Sequence, residues 1–170
     1  MPLTLAEINA LDAAAFVTRL GQVFEHAPWV AERTAARLPF ASRDDLHRAM
    51  LAVIGEASEA ERLALLRGHP DLAGRAAVAG DLTADSRKEQ AGAGLDRLSR
   101  EEYERFHALN SAYTAKFGFP FIIAVKGKTK DDILAAYAAR VGNDRATELR
   151  TALEQVGRIG GFRLADAVLG

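Results

Sequence analysis

The stretch GHPDLAG, residues 68–74, sets one imidazole, His69, between a glycine and a proline. An imidazole takes up and gives back a proton near neutral pH, and Pro70, directly after it, stops a helix and fixes a turn. Two readings are open for His69: a helix-end histidine over the last carbonyls, or an imidazole held on a fixed turn at the wall of a pocket. A second stretch, SRKEQ, supplies Ser86, Glu89 and Gln90. In a helix Ser86 and Glu89 share a face one turn apart with Gln90 beside them; the same spacing also fits a plain capping box. FGFPFIIAV, residues 117–125, is the densest run of aromatic and β-branched residues, and Arg163 in IGGFRLAD is either a ligand-directed guanidinium or a surface arginine. An imidazole, a carboxylate, a primary amide, a hydroxyl and a guanidinium suit a polar, nitrogen-rich molecule. The amide and exposed backbone groups match a urea-like edge, the guanidinium a carboxylate or carbonyl, and His with Glu can move protons.

The elements that must position these groups read as helices. Thr4 with Glu7, Ser42 with Asp45, Ser58 with Glu61, Ser99 with Glu102 and Thr129 with Asp132 each fit a hydroxyl cap answered by a carboxylate three residues on. Apolar stripes at helical spacing lie between them, such as Leu46, Met50, Val53 and Ile54, or Tyr103, Phe106, Leu109 and Tyr113. The pattern predicts helices over 5–10, 13–26, 30–38, 43–56, 59–67, 85–97, 100–117, 130–141 and 145–169. Pro28, Pro39, Gly118 and Gly142 are expected as stops. The expectation is therefore an all-α, single-domain helical bundle over residues 1–170, with about eight to nine helices. Two segments stand apart: 68–84, rich in glycine, and an extended buried segment near 119–126 whose backbone groups need partners, a ligand among them.

Composition narrows the function. A chain of 170 residues, 49% of them hydrophobic, suits one domain with a core of adequate size. Its 22 basic and 23 acidic residues nearly cancel without a run of either sign, which argues against a nucleic-acid or membrane-surface partner. The absence of cysteine excludes disulfides, a thiolate nucleophile and cysteine-ligated zinc. His26, His47 and His107 sit in helical patterns without metal-ligand spacing, and no phosphate-binding glycine loop is present. No run approaches the ~18 apolar residues that span a bilayer, and no targeting signal is evident, so a soluble cytoplasmic protein is expected.

The blocks GHPDLAG, LTADSRKEQAGAGLD, LNSAYTAKFGFPFIIAVKGKT and FRLAD, in this order, with FEHAPWVAERTAARLPF near the start, closely resemble the 2-oxo-4-hydroxy-4-carboxy-5-ureidoimidazoline (OHCU) decarboxylases of urate breakdown. The resemblance implies an all-helical, cofactor-free carboxy-lyase acting in purine catabolism that converts OHCU to (S)-allantoin. It implies His69 as the proton donor and Glu89 as the second catalytic group. Pro70, Ser86, Gln90, the segment Phe121, Ile122, Ile123, Ala124 and Val125, and Arg163 would bind substrate. Family members are often dimers, so a homodimer is a further expectation. The substrate's conjugated ring can accept the electrons of the breaking bond, so no cofactor or metal is expected. Gly160 and Gly161 depart from the expected helix just before Arg163, where each would weaken it by about 1 kcal/mol. The alternatives are a non-catalytic helical module that binds ureides or a partner, and an amidohydrolase-like activity. A pure binder has no need of two titratable groups at His69 and Glu89, and an amidohydrolase would need a metal set or activated nucleophile.

Overall fold

Hydroxyl and carboxylate caps decide where the helices begin. In the computed structural model, which describes residues 1–73 and 82–170, Thr4, Ser58, Ser99 and Thr129 form complete capping boxes with Glu7, Glu61, Glu102 and Asp132. Ser42 accepts from the Asp45 N–H, while the Asp45 carboxylate turns to Arg48. The helices are α1 (Leu5–Asn9), α2 (Ala13–Leu20), α3 (Pro28–Ala35), α4 (Arg43–Glu56), α5 (Glu59–Arg67), α6 (Ala84–Gly92), α7 (Arg100–Phe117), α8 (Lys130–Arg140) and α9 (Arg145–Ala167). The all-α expectation holds, with one addition. Leu3–Thr4 (β1) pairs in parallel with Val168–Leu169 (β2), a two-residue ladder too short for sequence periodicity to show.

Several ends differ from expectation. Helix α2 stops at Leu20 rather than running to residue 26. The Gly21 N–H closes on Val17 O at 2.7 Å, and a Cβ at Gly21 would stand 2.5 Å from that oxygen. Pro28 opens α3 instead of ending a helix, its missing N–H costing nothing at the first helical position. Helix α6 ends at Gly92, five residues early, because Gly94 turns the chain through φ +77° and Leu95 N–H folds back to Gln90 O at 2.9 Å. Of the glycine-rich stretch 68–84, residues 74–81 lie outside the described residues.

The chain divides into two compact units, residues 1–68 with 157–170 and residues 69–156. In the first, Leu46, Met50, Val53 and Ile54 of α4 are buried as their spacing predicts. Asn9 bridges to Phe40 by a reciprocal pair, Nδ2 to Phe40 O at 2.8 Å and Phe40 N to Oδ1 at 2.9 Å. In the second, Phe106, Tyr113, Phe117, Phe119, Phe121 and Tyr137 form an aromatic core. Tyr113 meets Phe121 edge-on at 5.1 Å, and Phe121 lies stacked on Tyr137 at 3.7 Å. Such pairs contribute about 0.5–1.5 kcal/mol beyond their buried area.

Gly160 and Gly161 do not interrupt α9. They are small because large rings press on the helix: a Cβ at Gly160 would stand 2.4 Å from Cζ of buried Phe24, and one at Gly161 2.9 Å from Cε1 of His47. Close packing offsets the conformational cost of the glycines. Gly55, late in α4, has nothing within 4 Å of its would-be Cβ. Gly160→Ala should therefore destabilise the protein by about 1–3 kcal/mol through overpacking, whereas Gly55→Ala should stabilise it by roughly 0.5–1 kcal/mol. Opposite shifts of the urea midpoint in the two variants are the expected result; a stabilised Gly160→Ala would show that the Phe24 ring does not fill this space.

Candidate active site

His69 stands just beyond α5, where Gly68 takes the cap position and closes on Ala64 O at 3.0 Å. The imidazole lies beyond the last helical residue, Arg67, and is only 8% exposed. Side chains from other elements clamp the turn. The Gln90 amide takes the Ala73 N–H on Oε1 at 2.9 Å and donates from Nε2 to Asp71 O at 3.3 Å. Asn110 of α7 donates from Nδ2 to Leu72 O at 2.8 Å. Ala73, held between them, has φ +52°, a left-handed conformation that costs a residue with a Cβ and needs such support.

Helix α6 carries Ser86, Glu89 and Gln90. Thr83, not Ser86, is its cap, the Thr83 hydroxyl accepting the Ser86 N–H at 3.2 Å. The capping-box reading of Ser86 and Glu89 is thereby replaced: Ser86 lies inside the first turn and is buried, with Glu89 half-buried a turn later. Gln90 is buried with its amide committed to the turn after His69.

The segment 119–125 runs without regular structure and is buried throughout. Its backbone finds protein partners. Arg140 Nη1 donates to Ile122 O at 2.6 Å, and the Ala124 N–H reaches Gln155 Oε1 at 2.9 Å. The Phe121 ring is fully buried between Tyr113 and Tyr137 with the Arg140 guanidinium 4.3 Å from its centroid, so it is a core side chain. Arg140 also meets Glu148 at 2.9 Å, and Glu148, fully buried, accepts from Tyr113 Oη at 2.6 Å and from Asn143 Nδ2 at 3.1 Å.

The unit of residues 69–156 thus holds His69, Pro70, Ser86, Glu89, Gln90 and Phe121 to Val125, with Gln90 of α6 bonded to the turn after His69. Arg163 belongs to the other unit, where it is buried, not a surface arginine. Its Nη2 pairs with Glu25 Oε1 at 3.0 Å and its Nη1 reaches Val23 O at 3.4 Å. A cleft of about 510 Å³ opens beside α6 between Arg87, Ala91, Leu95 and Tyr103; of the expected site residues its wall includes Gln90. Among the described residues no group of three or more His, Asp or Glu side chains could hold a metal ion.

Asn110, Tyr137, Arg140, Glu148 and Gln155 were not among the residues the sequence singled out. A signal existed for two of them. Asn110 falls in register with Phe106 and Tyr113, and Arg140 with Ile133 and Tyr137, each a polar group on an otherwise apolar stripe.

The OHCU decarboxylase family model matches residues 9–165. The chain belongs to the OHCU decarboxylase family. It is 47% identical over 164 residues to the 2-oxo-4-hydroxy-4-carboxy-5-ureidoimidazoline decarboxylase of Haloferax volcanii, covering 96% of this chain and 95% of that one. It is 44% identical over 165 residues to the uric acid degradation bifunctional protein PucL of Bacillus subtilis, which covers 97% of this chain but 33% of that longer protein. Among solved structures, an (S)-allantoin synthase superposes with a TM-score of 0.77 at 32% identity, over 98% of this chain and 54% of the other.

Titration around the His69 turn has one clear feature. Burial pushes the Asp71 carboxyl above its ordinary value of 3.8, against the opposing pull of His107. A carboxyl whose folded pKa is raised holds its proton more tightly in the folded state, so stability falls as pH climbs from 3.8 through the folded value. Asp71→Asn should therefore be more stable than wild type at pH 7, and the difference should close below pH 3.8. Denaturation midpoints across that range test this; an advantage that persists unchanged at low pH would mean desolvation of the charge is not its origin.

Proposed function

We infer that this protein is a cofactor-independent carboxy-lyase that decarboxylates OHCU stereoselectively to (S)-allantoin in urate breakdown. The family match through residues 9–165 carries the reading, and a buried imidazole on a clamped turn supports it. It acts in the cytoplasm, residues 1–170 working as one catalytic domain and the chain assembling as a homodimer.

In the proposed reaction the bond from the hydroxyl-bearing ring carbon to its carboxylate breaks and carbon dioxide leaves. The electron pair moves into the adjacent carbon–nitrogen double bond of the imidazoline. The hydroxyl carbon becomes a carbonyl, its hydroxyl proton passing to the ring nitrogen that received the electron pair, and His69 adds a proton to the neighbouring carbon that bears the ureido group. Addition from one face sets the handedness of allantoin. Glu89 contacts the hydroxyl, and its charge disfavours the nearby carboxylate of the ground state. Ser86 and Gln90 contribute from α6. Pro70 and the segment Phe121 to Val125 shape the wall that aligns the breaking bond perpendicular to the ring. The Gln90 amide serves the turn as well as the substrate, so its contribution is in part geometric. Arg163, oriented by Glu25, binds substrate in the same proposal.

The test generates OHCU in situ from urate with urate oxidase and the preceding hydrolase, and follows ultraviolet absorbance with circular dichroism. Faster decay with a net (S)-allantoin signal is expected. His69→Asn should fold but lose about 10²–10⁴-fold in turnover, and Glu89→Gln should lose activity if its charge matters and keep most of it if only hydrogen bonding does. Decay at the spontaneous rate from folded wild type, giving racemic product, would favour a ureide-binding module instead.

A further inference from the structure

One side chain touches both halves of the site just described. The Tyr137 ring lies stacked on Phe121 at 3.7 Å and 19°, while its hydroxyl reaches Asn110 Oδ1. Asn110 in turn holds Leu72 O at 2.8 Å, three residues after His69. The polarity of this chain is fixed by chemistry. Leu72 O can only accept, so the Asn110 atom facing it is the amide nitrogen, and Oδ1 is left to accept from the Tyr137 hydroxyl.

We propose that Asn110 and Tyr137 are positioning residues, a strut that sets the His69 turn against the Phe121–Val125 segment and so fixes the face from which the proton arrives. Both are buried, Asn110 at 3% and Tyr137 at 1% exposed, so neither group can exchange its bond for one to water. Burial first, and then the Asp71 charge, raise the Tyr137 hydroxyl pKa, which keeps the hydroxyl a donor across the working range. The Gln90 clamp on the same turn comes from α6 and fixes the turn to that helix. The strut runs from the turn at Leu72 O through Asn110 and Tyr137 to the Phe121 ring.

The inference rests on the decarboxylase reading, and Tyr137→Phe separates the two. This variant keeps the ring stacked on Phe121 and removes only the hydroxyl link. Misplacing a catalytic group by about 1 Å costs on the order of 10²-fold, so kcat should fall about 10- to 100-fold with a smaller change in KM, and the enantiomeric excess of allantoin should drop. Asn110→Ser should do the same. The His69 ring resonances, followed by ¹H–¹⁵N correlation NMR, should shift in both variants relative to wild type. Thr34→Val, which removes a buried hydroxyl bonded to Val30 O in the other unit, supplies a comparable loss of stability and should move none of these readouts. Wild-type kcat, product handedness and His69 resonances in folded Tyr137→Phe would overturn the strut. A wild type that fails to speed OHCU decay would overturn the decarboxylase reading, and the His69 resonances would still decide the strut.

Discussion

Burying a stretch of chain with no regular structure imposes the demand on which the 69–156 unit is built. Each buried N–H and C=O of residues 119–125 lacks a helix or sheet partner by default, and an orphaned one costs about 1–3 kcal/mol. Long polar side chains meet that demand at two points, Arg140 at Ile122 O and Gln155 at Ala124 N–H. Arg140 then needs its own charge answered, and Glu148 answers it with Tyr113 and Asn143 filling the remaining positions on the carboxylate. The network is interlocked. Deleting one partner of a buried pair leaves the other uncompensated at a cost of about 3–5 kcal/mol, whereas the pair itself adds little net stability. Its return is a fixed backbone.

The other unit solves a different problem with the same kind of part. Arg163 and Glu25 are both buried and face each other at 3.0 Å, so the guanidinium has a defined direction. The exposed pair Arg33–Glu61, although doubly hydrogen-bonded, is screened by water and adds little to stability. Close approach of α9 to Phe24 and His47, made possible by Gly160 and Gly161, lets the helix continue to Arg163. What looked in the sequence like a weak point in a helix is a packing surface.

Local rules made most of the fold legible. Caps such as Ser58 with Glu61 and stripes such as Leu46, Met50, Val53 and Ile54 depend on neighbours within two helical turns, and they read correctly. Two features did not: the end of α6, where Gly94 turns the chain with a positive φ that periodicity does not show, and the pairing of β1 with a strand at the far end of the chain. The site divides the same way. His69 and the α6 group were visible as residue types, and the resemblance of whole blocks gave them roles. The partners of Asn110 and Gln155 were not, because they are backbone atoms many residues away, at Leu72 and Ala124, and Tyr137 reads as an ordinary core aromatic on its stripe.

A proton donor that must deliver to one face needs a turn whose shape does not change as the donor titrates. Helical backbone would give rigidity, but an imidazole on a helix shares its direction with the whole face. A free loop would give the right direction without the rigidity. The turn after His69 is irregular backbone held by the primary amides of Gln90 and Asn110, with the Tyr137 hydroxyl behind one of them. Amides carry fixed donors and acceptors and no proton to lose in this range. A clamp made of lysine or glutamate would add a charge beside the imidazole and couple the titration of the two groups. Neutral clamps leave the shape of the turn to groups that never change charge.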